Sequence, residues 1–281
     1  MDIRYKDHLK WQSSDNLLFC PPRAYSRMVA SENGIILAIG GKKESGHWVN
    51  LIDELDLKST SKKQWVPTKP LNRPQFDFAV CTRKQYIYVV GGCDFSYGNC
   101  FNSVEYYDTN SKVWTEIIKT MPTARRWCSA ITNNDDLYVF GGKNGADLST
   151  VECYDFAKKN WKQFDPMPIC NSTMGVTIIE NYIYIIGGVC ESQRVFKFDL
   201  RHSKWSEMPK THLKTSYATS SFVNKGNDIF LFVNEGGRIY CEIYDAEKKQ
   251  WQWAAKAGVC IGTNIVSFNE GTLKSYGIHF K

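Results

Sequence analysis

The chain has 281 residues, 43% of them hydrophobic, 14% aromatic and 23% charged, with a formal net charge of +6. This composition excludes a disordered chain, and so mild a basic excess excludes a dedicated nucleic-acid binder. No apolar run approaches the roughly 20 residues that cross a bilayer, and the polar opening Met1-Asp2-Ile3-Arg4-Tyr5-Lys6-Asp7-His8 has no hydrophobic stretch of the secretory type, so a cytoplasmic protein is expected, with the nucleus as a second compartment.

In chain order, an opening segment carries Tyr5, Asp7 and Trp11, and a repeat then sets in. Ile36-Leu37-Ala38-Ile39-Gly40-Gly41 is followed by Ile87-Tyr88-Val89-Val90-Gly91-Gly92, Leu137-Tyr138-Val139-Phe140-Gly141-Gly142 and Ile183-Tyr184-Ile185-Ile186-Gly187-Gly188. A worn fifth copy runs Ile229-Phe230-Leu231-Phe232-Val233-Asn234-Glu235, and successive copies start 51, 50, 46 and 46 residues apart. After each copy a second mark closes a short strand: Leu55-Asp56, Tyr107-Asp108, Tyr154-Asp155, Phe198-Asp199 and Tyr244-Asp245. Tryptophan follows the first Asp by nine residues (Trp65) and the others by six (Trp114, Trp161, Trp205, Trp251). The runs are β-branched and aromatic with polar turns between them, which predicts strands and an all-β chain.

A four-stranded unit is too small to bury both of its own faces, so such units stack, and a closed stack protects its sheets. Dividing the length by the period gives six units. The expected fold is therefore a six-bladed β-propeller of four-stranded antiparallel blades, filling residues 1–281 as one domain. Its units are 20–70, 71–122, 123–168, 169–211 and 212–261. A sixth, shared blade joins 1–19 to 262–281, with Thr263–Asn269 and Leu273–Phe280 as its C-terminal strands, and closes the ring.

The period near 50, the double glycine, the Tyr-Asp pair and the Trp six residues on resemble kelch repeats, and the resemblance covers essentially the whole chain. The first repeat departs from it in its nine-residue Asp-to-Trp spacing. The fifth departs in having Asn234-Glu235 in place of the glycines. The tryptophans read as framework that fills space between sheets.

In an up-down-up-down sheet, the loop after the double glycine and the connection between blades share one rim. From the second Gly to the Asp the gaps are 15, 16, 13, 11 and about 10, while the Asp-to-Trp turn at the other end is standardised. Variation over a constant framework is how a scaffold carries recognition, so the glycine-side rim is the expected binding face. Its loops offer Lys42, Lys43, His47 and Trp48, then Asp94, Phe95 and Tyr97, then Lys143, Asn144 and Asp147, and last Cys190 and Glu191. The inter-blade connections add Tyr25, Arg27, Phe76, Asp77, Arg125, Arg126, Trp127, Thr173 and Tyr217. Arginines and aromatics mixed with a few acids suit an acidic or mixed peptide. The resemblance implies that residues just after Gly-Gly and at the start of the first strand hold a peptide, often through arginine. Arg126 is the best match by position, with Arg125 beside it and Asp77, Thr173 and Tyr217 read as its counterparts. The doublets Lys62-Lys63, Lys158-Lys159 and Lys248-Lys249 fall at equivalent turns on the other rim and read as solvated turn chemistry rather than a nucleic-acid stripe.

Catalytic and metal signatures are missing from the sequence. Ten cysteines include no C-x-x-C, and no two of the five histidines stand at a metal-ligand spacing, so no metal or cofactor is expected. The closest cysteines outside equivalent positions are Cys93 and Cys100, across a loop, and all are expected to be reduced thiols acting as small hydrophobes. Gly-x-Ser-x-Gly and His-Glu-x-x-His are also absent. The resemblance implies a protein-interaction module rather than an enzyme: the substrate-recognition domain of a BTB–kelch adaptor for a cullin-RING ubiquitin ligase, monomeric when isolated. It would reach cullin only through BTB and BACK regions, for which the repeats beginning near residue 20 leave no room. A cytoskeletal, actin-associated kelch scaffold is the alternative, and a kelch-fold enzyme ranks behind both.

Overall fold

The computed structural model describes residues 23–59, 64–95, 98–133, 135–215, 220–235 and 238–254. They form five four-stranded antiparallel sheets, each in simple sequence order. Blade 1 is Arg27–Ala30, Ile35–Ile39, Ile52–Asp56 and Val66–Thr68. Blade 2 is Ala79–Arg83, Tyr86–Val90, Val104–Asp108 and Val113–Glu116. Blade 3 is Ser129–Thr132, Asp136–Phe140, Val151–Asp155 and Asn160–Phe164, with a two-stranded hairpin, Lys143–Asn144 and Ala146–Asp147, set into it. Blade 4 is Gly175–Ile179, Tyr182–Ile186, Val195–Asp199 and Lys204–Met208. Blade 5 is Ser220–Lys225, Asp228–Glu235, Arg238–Asp245 and Gln250–Trp253.

The expected count of six blades is corrected to five among the described residues. Dividing length by period, with Tyr5, Asp7 and Trp11 as marks, gives a blade to terminal segments that carry no double glycine and no adjacent Tyr-Asp pair. Those segments, and with them the proposed ring closure by a shared blade, lie outside the described residues.

The described residues fall into two compact units. One ends at Ser172 and holds blades 1–3; the other begins at Thr173 and holds blades 4 and 5. In the first unit, Leu37, Ile39 and Ile52 of blade 1 pack with Ile87, Val89 and Tyr107 of blade 2. The opposite face of blade 2 (Tyr88, Val90, Val104) meets Leu137, Val139 and Tyr154 of blade 3. In the second unit, Ile186 and Val195 meet Ile229, Leu231 and Tyr244. Alternation along each strand thus feeds both faces, and each fully buried aliphatic or aromatic side chain contributes about 1.5–3 kcal/mol.

The repeat marks are joints between blades. Tyr107 lies 5.1 Å from Trp114, Tyr154 5.3 Å from Trp161, and Tyr244 5.4 Å from Trp251, centroid to centroid. Each indole N–H then donates to a carbonyl of the connector leading into its own blade: Trp114 to Lys69, Trp161 to Lys119, Trp251 to Pro209. The turn carboxylates accept backbone N–H groups two and three residues on, as Asp155 does from Ala157 and Lys158. These bonds hold its pKa below the usual range. Lys158-Lys159 and Lys248-Lys249 occupy such turns, with Lys159 and Lys249 in left-handed backbone, while Lys62-Lys63 lie outside the described residues.

Gly91 and Gly92 show why the doublet is glycine. Both are left-handed, with φ of 64° and 105°. A Cβ on Gly91 would sit 2.4 Å from the Arg125 carbonyl oxygen, and one on Gly92 2.8 Å from that of Phe76. No L side chain fits there. In blade 5 the chain never makes this turn: its middle strands run on through Asn234↔Ile239 and Glu235↔Arg238, so the glycines are not needed.

Candidate functional site

In blades 1–3 the loop after Gly-Gly folds as a small hairpin that prolongs the blade on the glycine-side rim. Its first residue pairs on one side with the incoming connector: Ala24↔Lys42, Phe76↔Cys93 and Arg126↔Lys143, each exchanging two backbone hydrogen bonds. On its other side it faces a cross-strand neighbour: Lys42↔Trp48, Cys93↔Cys100 and Lys143↔Asp147. Gly46 and Gly145 make the tips of the first and third hairpins with positive φ. Blade 4 has only a short turn here, closed by Gly187 N–H to the Arg194 carbonyl (2.8 Å).

This register assembles an aromatic ladder across blades 1 and 2. Tyr25 and Trp48 lie 5.7 Å apart, Trp48 stacks on Phe76 at 4.6 Å, and Phe76 stacks on Phe95 at 5.7 Å. Phe76 is the anchored rung, 3% exposed, whereas Tyr25 and Phe95 are 51% and 43% exposed. Cations edge the ladder: Lys42 Nζ stands 5.8 Å from the Trp48 ring, and the Arg126 guanidinium lies 4.2 Å over Trp127, with Nη1 3.9 Å from Cys93 Sγ. Asp94 supplies an acid, held by the Asn99 amide at 2.7 Å. Flat faces beside fixed cations can hold an aromatic or apolar side chain together with a carboxylate.

Arg125 is not part of this surface. It is fully buried, ion-paired to the equally buried Glu152 at 2.7 Å, and donates to the Gly141 and Thr150 carbonyls at 2.8 and 3.4 Å. Consecutive side chains of an extended chain point opposite ways, so Arg126 faces the rim and Arg125 the interior. The rim role expected for Arg125 is therefore corrected to a framework role. Arg23 plays the same part in blade 1, with Asp53 at 2.5 Å and the Gly40 and Ala38 carbonyls. Blade 2 has Gln75 in this slot, 1% exposed and with Oε1 unpartnered. Its acid, Glu105, is buried and receives the Asn72 N–H at 3.3 Å. Burial raises the Glu105 pKa above its ordinary value of 4.5.

The expected equivalence of Asp77 and Thr173 with Arg126 is off by one residue. Tyr25, Asp77, Trp127 and Thr173 form one set, all left-handed with φ of 53–60°. Phe76 and Ala24 are the counterparts of Arg126. Trp127 N–H donates to the Asp77 carbonyl at 2.7 Å, which couples the connectors of blades 2 and 3. Lys43 and Asn144 are exposed at the hairpins. Thr173 belongs to the second unit, half-buried with Oγ1 unpartnered. Tyr97 and Tyr217 lie outside the described residues. Sequence reasoning missed Cys100 as a rim residue. Its signal was its place at the far side of loop two, where loop one carries Trp48. Among the described residues no cluster of three His, Cys, Asp or Glu is placed to hold a metal. A concavity of about 660 Å³ lies at the other end of blades 2 and 3, lined by residues including Arg83, Tyr86, Tyr106, Tyr154 and Phe156, away from the ladder.

Residues 6–188 match the family described as the KLHDC2/KLHL20/DRC7 Kelch-repeats domain, and residues 170–211 match the Kelch motif. The chain is similar to the solved structure of YjhT, with a TM-score of 0.69 over 88% of this chain and 87% of that one at 14% identity, a likeness of fold. Kelch-like protein 36 of Bos taurus is 29% identical over 64% of this chain and 30% of its own length. Kelch-like protein 23 of Homo sapiens is 24% identical over 64% and 32%, and Kelch repeat protein C2 of Vaccinia virus (strain Western Reserve) 26% over 69% and 37%. The matched region is thus about a third of each of these relatives. Repeated four-stranded blades, double-glycine turns and a hairpin-bearing rim define a kelch-repeat β-propeller, a protein-interaction domain. The chain belongs to the KLHDC2/KLHL20/DRC7 kelch-repeat family.

Proposed function

We propose that this chain is the substrate-recognition domain of a cullin-RING ubiquitin ligase adaptor of the BTB–kelch type, working in the cytoplasm. It holds an extended peptide segment of a partner protein on the rim of blades 1–3. The observation that carries the reading is the ladder Tyr25–Trp48–Phe76–Phe95 with Lys42 and Arg126 at its margins. An aromatic or apolar side chain of the peptide rests on the exposed rungs, and a nearby carboxylate meets Arg126 or Lys42. Aromatic and arginine anchors of this kind each account for about 2–4 kcal/mol of an interface. The similarity to kelch-like proteins supports the adaptor role.

Two readouts test it. In affinity capture, Trp48→Ala and Arg126→Ala each reduce recovery of the wild-type partner at least about tenfold. Recovery unchanged in both variants would refute the rim assignment. Over-expression of the isolated chain competes with the endogenous adaptor and lengthens the partner's half-life, and Arg126→Ala does not. A half-life indifferent to the wild-type chain would reject the ligase role while leaving the rim intact.

A further inference from the structure

We propose that Cys93 and Cys100 are a disulfide-forming pair, closing across the rim hairpin of blade 2 by exchange with a low-molecular-weight disulfide such as oxidised glutathione. Hairpin register sets the two thiols opposite each other whichever partner the rim binds.

Phe101 N–H donates to the Gly92 carbonyl at 2.8 Å and Asp94 N–H to the Asn99 carbonyl at 3.2 Å. Those two bonds bracket Cys93↔Cys100 as a non-hydrogen-bonded antiparallel pair, the type whose Cα atoms stand about 4.5 Å apart with side chains on one face. Disulfides span Cα separations of about 4.4–6.8 Å, so little backbone movement is needed. Blade 1 shows what this slot does. Lys42↔Trp48 is bracketed in the same way, by Lys43 N–H to His47 and Val49 N–H to Gly41, and there the lysine ammonium stands over the indole. The cross-strand slot holds a cation on a ring in blade 1, two thiols in blade 2, and Lys143 opposite Asp147 in blade 3.

The surroundings favour one order of events. Both thiols are free; Cys93 is fully buried and Cys100 half-buried. Burial pushes both pKa values up, Cys93 to about 11, and the Arg126 charge pulls both back. The reachable thiolate is that of Cys100. It attacks one sulfur of the small disulfide, forming a mixed disulfide and expelling a thiolate that takes up a proton. Cys93 then gives up its proton and attacks the Cys100 sulfur, expelling the second small thiol. Two protein thiols are oxidised and one disulfide is reduced to two thiols, so electrons and protons balance. The product staples the hairpin that presents Phe95 beside Phe76.

The test treats the protein with oxidised glutathione and maps its cysteines by mass spectrometry, with exposed Cys170 and Cys190 as internal controls for the oxidant. In the wild type, a Cys93–Cys100 cross-link forms, dithiothreitol reverses it, and Tm rises by about a few degrees. In Cys93→Ser, Cys100 retains glutathione as a mixed disulfide; in Cys100→Ser, Cys93 remains unmodified. Finding Cys93 and Cys100 unlinked in the wild type, under conditions that fully glutathionylate Cys170 and Cys190, would overturn the proposal.

Discussion

Blades 2 and 3 share strand order, register and repeat marks, yet they treat one buried acid in opposite ways. In blade 3 Glu152 is neutralised by Arg125 and also accepts the Thr123 hydroxyl at 2.5 Å. In blade 2 the same strand position holds Glu105, but Gln75 stands where the arginine would be and leaves its own oxygen unpartnered. One scaffold therefore carries an acid paired with a buried arginine beside an acid that has no arginine in that slot, and strength resides in the pair rather than in the acid. Removing one member of a buried pair exposes its partner's full desolvation cost.

That contrast can be broken most sharply at Arg125. Arg125→Ala is expected to destabilise the protein by about 3–5 kcal/mol, leaving Glu152 as an uncompensated buried charge. Chemical denaturation measures this, and a loss below about 1 kcal/mol would dismiss the joint as decoration. An intermediate effect of opposite sign is expected at Glu105. Burial raises its pKa in the folded state, so its penalty is absent below the ordinary value of 4.5 and grows as pH rises through the folded-state value. Glu105→Gln accordingly raises Tm by about a few degrees at neutral pH, and the gain vanishes in acid. A gain independent of pH would mean that charge is not its source. The smallest shift belongs to Arg126→Ala, with stability changing by about 0.5 kcal/mol or less because the side chain serves the rim. A large loss there would erase the division of labour between the two neighbouring arginines.

The sequence made the joints between blades readable and left their orientation hidden. Gly-Gly, Tyr-Asp and Trp recur at near-constant spacing, so the repeated four-stranded sheets and the framework role of Trp114, Trp161 and Trp251 are legible from spacing, whereas the number of blades is not. The ladder is partly legible, since the repeat sets Tyr25, Trp48, Phe76 and Phe95 on one rim, although nothing in the sequence stacks them. Arg125 and Arg126 were inseparable because which side faces inward depends on the bridge Arg126↔Lys143, one residue of register. The pairing of Cys93 with Cys100 was hidden for the same reason. The sixth blade is a different case, because a count of residues and the scattered marks Tyr5, Asp7 and Trp11 stand in for a double-glycine copy that neither terminal segment carries.

The tryptophan tethers have a consequence for anyone cutting or swapping modules of this chain. Trp114 grips the Lys69 carbonyl and Trp161 that of Lys119, each well upstream of the sheet in which the indole sits. The transplantable piece is therefore a sheet together with the connector ahead of it. A graft beginning at Ala79 would leave its own anchor point behind, whereas one beginning before Lys69 would bring it along.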